Sequence, residues 1–106
     1  MSMSTIGVPL EGFGAYCRAA AADGAVLLKN EGHMFPLKKE EMVSVFGRCQ
    51  FETYRSGTGS GGAVNVPYAV NIYDGMRESG SFTLNEELAD IYRAWLKDHP
   101  FDNGGG

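Results

Sequence analysis

The stretch with the most chemistry in it is Ser56-Gly57-Thr58-Gly59-Ser60-Gly61-Gly62, preceded by Tyr54 and Arg55. Glycines let a backbone come close to another surface and adopt positive φ. Ser56, Thr58 and Ser60 supply hydroxyls that both donate and accept hydrogen bonds. An aromatic face and a planar guanidinium next to exposed amides and small hydroxyls suit a neutral polyol such as a sugar. A plain surface loop without a ligand is the other reading of the same residue types.

Gly57, Gly59 and Gly62 also satisfy G-x-G-x-x-G. A dinucleotide fingerprint needs those glycines directly after a strand and at the opening of a helix. Here the preceding strand-like run ends near Gly47, about ten residues earlier, and the next helical pattern begins only after Val66. There is no G-K-[ST], so a P-loop is excluded and no nucleotide cofactor is expected. Cys17 and Cys49 form no C-x-x-C pair and no zinc-spaced cluster, and are expected to be small, partly buried thiols. His33 and His99 lie in polar turns and are expected to be solvated, with no metal site.

The whole chain has 106 residues, 15 of them Gly, and a formal net charge of −4. A length of this order supports one domain with a modest core. Mild acidity argues against nucleic acid as a partner, because phosphate binding needs a basic patch. No apolar run approaches the roughly 20 residues of a membrane helix. Met1–Leu10 lacks the charged n-region and long apolar h-region of a Sec signal peptide, so a cytoplasmic location is expected.

Residues 1–11 read as a lead-in. Over Gly12 to Asp23, Phe13, Tyr16, Cys17, Ala20 and Ala21 form one apolar helical stripe, with Gly24 placed to end the helix in a left-handed conformation. Ala25–Leu28 reads as a short strand. Met42–Gly47, β-branched and nearly all apolar, reads as a strand buried in a parallel sheet. A second helix is expected from about Pro67, with Ala69, Ile72, Tyr73 and Met76 on one face and Gly80 beyond its end. Phe82 belongs at most to the end of a short strand. Thr83 with Glu86 fits a capping box for a third helix, whose stripe is Leu84, Leu88, Ile91, Tyr92, Trp95 and Leu96. Pro100 blocks its extension. This order predicts an α/β fold, a partial α/β sandwich with an incomplete, mainly parallel sheet flanked by helices.

Ala20–Glu31 (AAADGAVLLKNE), Phe35-Pro36-Leu37 and Val43–Gly47 (VSVFG) resemble the opening of the α/β sandwich domain of glycoside hydrolase family 3. Gly57–Gly61 is similar to that family's GTGSG loop, and Val70–Met76 (VNIYDGM) to its VNILDGL helix. The similarity runs over about residues 15 to 96. It implies a fragment of a retaining β-glucosidase, an exo-acting enzyme that removes terminal β-D-glucosyl residues, with no cofactor. Such enzymes need two carboxylates about 5–5.5 Å apart. The resemblance puts the Asp nucleophile on a separate (β/α)8 barrel, the implied partner domain, and the acid/base Glu beyond Gly106. No catalytic residue is therefore assigned on this chain, and Glu31, Glu52 and Asp74 are not substitutes. The substrate-binding residues it implies are Ser60, foremost, with Thr58, Tyr54 and Gly59. Residues 12–106 would be the N-terminal part of the sandwich, truncated at its Gly-rich end. The short lead-in before Gly12 points to the subset with the sandwich ahead of the barrel. A non-catalytic module that binds carbohydrate or protein through the same loop is the alternative.

Overall fold

The computed structural model describes residues 8–55 and 66–100. These fall into two compact units, divided between Phe35 and Pro36.

The first unit holds helix α1 (Phe13–Gly24) and a 3-10 turn over Glu31–His33. α1 begins after Gly12, whose positive φ breaks the chain direction, and it has neither a side-chain cap nor an acidic residue in its first turn. Its apolar stripe forms as the spacing predicts, yet every residue of α1 is exposed. Gly24 is the last helical residue and not a left-handed cap; the chain leaves through an extended Ala25. The Ala25–Leu28 strand is absent among the described residues. A strand needs a neighbour for its backbone donors and acceptors, and this segment has no ladder partner there. Cys17 and Cys49 are exposed, not partly buried.

The second unit contains β1 (Met42–Val43), a 3-10 turn over Arg48–Gln50, α2 (Ile72–Ser79), β2 (Thr83–Leu84) and α3 (Glu86–Asp98). β1 and β2 pair in parallel, Met42 against Thr83 and Val43 against Leu84. The pairing continues through Thr83 N–H to the Glu41 carbonyl (3.0 Å) and Asn85 N–H to the Val43 carbonyl (2.9 Å). The strand expected over Met42–Gly47 is thus reduced to two ladder residues. Alternation persists beyond them: Val43 and Val45 pack on the core, while Met42 and Phe46 point outward and are exposed. Gly47 ends the run at φ 97°, ψ 147°, a conformation that suits glycine, and its N–H donates to the Tyr92 hydroxyl at 2.9 Å.

α2 starts at Ile72, five residues later than Pro67 suggests, because Asn71 takes the capping position. The Asn71 side chain accepts the Asp74 N–H at 2.7 Å. Gly80 closes α2 at φ 65°, as its place in the sequence predicts. α3 is capped by Asn85, whose Oδ1 accepts the Leu88 N–H at 3.2 Å, and not by a Thr83–Glu86 box. Thr83 is drawn into the ladder, its hydroxyl bonded to the Lys39 carbonyl, and Glu86 turns to Arg77.

The core is small. Tyr73, Leu84 and Ala89 are buried, and Val43, Val45, Phe51, Met76 and Phe82 pack against them. Phe51 meets Tyr73 with ring centroids 5.0 Å apart. The Arg93 guanidinium lies over both rings, 4.9 Å from Phe51 and 5.0 Å from Tyr73. Large apolar side chains remain in solvent in both units, among them Leu28 (91 % exposed), Phe46 (74 %) and Ile91 (61 %). An apolar surface on that scale drives association. The 106-residue polypeptide by itself is therefore expected to self-associate or to unfold broadly on heating. Sedimentation with a thermal melt checks this, and a monomer with one sharp cooperative transition would contradict it.

Candidate functional site

Among the described residues of the second unit, two concavities stand out. One is an apolar groove of about 480 Å³ along α3, lined by Leu88, Ile91, Tyr92, Trp95 and Arg48. Its polar groups are already engaged. Arg48 pairs with Glu52 at 2.8 Å, donates to the His99 carbonyl at 2.8 Å and covers the Trp95 ring. Trp95 stacks on His99 with ring centroids 4.1 Å apart. Nothing in that groove is arranged to orient a polyol.

The other concavity is the candidate site. It is a cleft of about 150 Å³ lined by Phe51, Glu52, Thr53, Arg55, Ala69, Val70 and Asn71. These residues lead into and out of segment 56–65. The volume is well below the roughly 300–1,000 Å³ of complete ligand pockets, too small to enclose a sugar by itself.

The Arg48–Gln50 turn directly precedes the first lining residue, Phe51. Gln50 is buried there, and its Nε2 donates to the Val45 carbonyl at 2.9 Å and the Gly47 carbonyl at 2.8 Å. Thr53 follows, its Oγ1 donating to the Cys49 carbonyl at 2.6 Å. The same oxygen accepts the Ile72 N–H at 3.0 Å. Asn71 caps α2 from the opposite wall. Arg55 and Tyr54 are exposed, Tyr54 by 60 %, so Tyr54 is not a core residue. Of the expected sugar-contacting residues, only Tyr54 lies among those described. Thr58, Gly59 and Ser60 lie outside them.

Glu52, the one acid among the described residues lining the cleft, is held by the Arg48 guanidinium. Glu31 pairs with Lys29 at 3.3 Å on the surface. Behind the cleft, Arg77 makes a two-pronged contact to Glu86 at 3.0 and 3.1 Å. The Tyr73 hydroxyl and the Arg77 guanidinium hold the Glu86 carboxyl below its usual range. Burial, with the Glu86 charge adding to it, pushes the Tyr73 phenol up. That hydroxyl is sealed from solvent and interacts electrostatically with Glu86 and Arg77 without meeting hydrogen-bond geometry to either. These groups brace the second unit and do not open into the cleft. Among the described residues no group of three His, Cys, Asp or Glu is placed to hold a metal ion.

Sequence reasoning missed Thr53 and Asn71. Asn71 had a local signal, a short polar residue directly before an apolar-periodic run with Asp three residues on. Thr53 had none, because its partner Ile72 is 19 residues away.

Residues 25–97 match the Glycosyl hydrolase family 3 C-terminal domain. Over 85 residues, 80% of this chain and 9% of its relative, the sequence is 48% identical to a beta-glucosidase of Ruminococcus albus. Over 80 residues it is 34% identical to beta-glucosidase A of Butyrivibrio fibrisolvens, covering 74% of this chain and 10% of that protein. Among solved structures, a beta-glucosidase from Paenibacillus barengoltzii superposes with a TM-score of 0.86 at 62% identity, over 100% of this chain and 11% of its own. Beta-glucosidase 3B from Thermotoga neapolitana, solved in complex with alpha-D-glucose, gives 0.70 at 38% identity, over 84% of this chain and 12% of its own. The chain spans about a tenth of the length of these relatives.

Proposed function

Because this chain belongs to the glycosyl hydrolase family 3 C-terminal domain family, we propose that it forms part of a retaining β-glucosidase acting on terminal β-D-glucosyl residues. In this reading it contributes one wall of the sugar pocket and neither catalytic carboxylate. Ser60 faces the sugar bound at the cleaved bond, with Thr58, Tyr54 and Gly59 shaping the rim around it. The (β/α)8 barrel of the same full-length protein completes the pocket and carries the nucleophile. The observation that carries the reading is the agreement, at 62% identity over all of this chain, with a protein described as a beta-glucosidase. The cleft supports it as well, since among its described lining Thr53, Arg55 and Asn71 are polar and the one acid, Glu52, is already paired.

The test is hydrolysis of an aryl β-D-glucoside, with the anomer of the first-formed glucose read by NMR. The full-length protein is expected to release β-glucose, the sign of two successive displacements, and the 106-residue chain to release none. Initial release of α-glucose would overturn the retaining mechanism. Robust turnover by the isolated chain would overturn the assignment of the carboxylates elsewhere. Millimolar binding of glucose or cellobiose by the isolated chain would favour a self-contained carbohydrate-binding module instead.

A further inference from the structure

The polar side chains along the cleft have their amide and hydroxyl acceptors engaged and keep their donors. Asn71 Oδ1 accepts the Asp74 N–H at 2.7 Å. The Thr53 hydroxyl accepts the Ile72 N–H at 3.0 Å and gives its proton to the Cys49 carbonyl. Glu52 has its charge met by Arg48, whose Nε and Nη2 both stand 2.8 Å from Oε2. Two donor groups are left over. One is the Asn71 Nδ2 amide, with two N–H groups, and the other is the exposed Arg55 guanidinium, with five. Neither group is bonded to another of the described residues, and Arg55 meets no carboxylate among them. The described lining is thus rich in donors and carries the uncancelled positive charge of Arg55.

We propose that the cleft is a subsite for a single carboxylate, held by the Arg55 guanidinium with the Asn71 amide as second donor. A guanidinium presents a planar fork that matches the two oxygens of a carboxylate. One uncancelled positive charge balances one negative charge, which favours a carboxylate over a doubly charged phosphate. Size agrees with this. A cleft of about 150 Å³ has room for about five groups the size of water, at roughly 30 Å³ each. That takes a carboxylate and the carbon that bears it, and leaves a hexose outside. A neutral glucosyl unit has no charge for Arg55 to meet, so the ligand is either a free carboxylate or a carboxylate on the leaving group of a glucoside. The second source rests on the β-glucosidase reading given above, and the first does not.

The experiment uses the full-length protein and pairs each carboxylate with its uncharged amide. In one arm, phenylacetate and phenylacetamide are titrated by calorimetry. In the other, kcat/KM is measured on para-carboxymethylphenyl β-D-glucoside and on the corresponding amide, where the methylene insulates the departing oxygen from the charge. A carboxylate preference of about tenfold is expected in at least one arm, the scale of a charge-assisted hydrogen bond open to water. Arg55→Gln is expected to bring the ratio of acid to amide close to one. Asn71→Asp should do the same, because Asp keeps the cap on α2 while exchanging the N–H donors for a charged oxygen. A preference in the titration alone identifies a free carboxylate, and one in turnover identifies the leaving group. Equal behaviour of acid and amide in both arms would overturn the proposal, as would a preference that survives Arg55→Gln. Turnover of the amide glucoside reports the β-glucosidase reading separately. Its absence beside Arg55-dependent binding of phenylacetate would sink that reading and leave the subsite standing.

Discussion

Ser60→Ala in the full-length enzyme is expected to lower kcat/KM by about 5- to 150-fold. The range corresponds to about 1–3 kcal/mol for a hydrogen bond whose sugar hydroxyl is left enclosed and unpaired. Most of the loss should fall on kcat if the bond tightens as the glucosyl ring flattens, because only an interaction stronger in the transition state than in the ground state speeds the chemical step. A comparison of glucoside with 2-deoxyglucoside, and so on around the ring, would identify the hydroxyl concerned: the matching deoxy substrate should lose little further activity in the variant. Kinetics identical to wild type would clear Ser60 of any role in binding the sugar.

The second large effect is on stability, and it separates two variants of one residue. Tyr73 is 1 % exposed and stands at the centre of the small core. Tyr73→Ala is expected to cost about 3–5 kcal/mol, the range for truncating a buried aromatic. It also removes the surface on which Phe51 packs and over which Arg77 and Arg93 lie. Tyr73→Phe is expected to be neutral or mildly stabilising. The hydroxyl it removes is buried without a hydrogen bond of good geometry, which costs about 1–3 kcal/mol and outweighs its support of the exposed Glu86 carboxylate. Thermal unfolding of the full-length protein reads both changes. A loss of more than about 1 kcal/mol in Tyr73→Phe would mean that the hydroxyl is bonded after all.

The elements legible in the sequence were those whose signals are local. The stripe of α3 from Leu88 onward, the stop at Gly80 and the helical run of residues 13–24 depend on neighbours within one or two turns, and they stand in the structure, whereas Leu84, expected at the head of that stripe, lies in β2. Capping was legible in kind but misplaced in position. Thr83 and Glu86 are suitable cap residues, but pairing of Thr83 with Met42 moved the start of the helix to Asn85. Strand content was overestimated for a physical reason. Ala25–Leu28 and Val45–Phe46 have the composition of strands, yet composition does not supply neighbours, and Leu28 and Phe46 lie in solvent. The candidate site was legible in its residue types and, more sharply, through its resemblance to a family. Residue types suggested a sugar at Tyr54 and Arg55, whereas the brace at Thr53 is a long-range contact that no local pattern announces.

The parallel pairing of β1 with β2 bears on how the polypeptide emerges from the ribosome. Met42 and Thr83 are partners although 41 positions separate them. At a synthesis rate of about 5–20 residues per second, the first strand waits about 2–8 s for its mate. During that interval the apolar stretch Met42–Phe46 is an open edge to which nascent neighbours or chaperones have access. Slower decoding of the codons between the two strands would prolong that exposure.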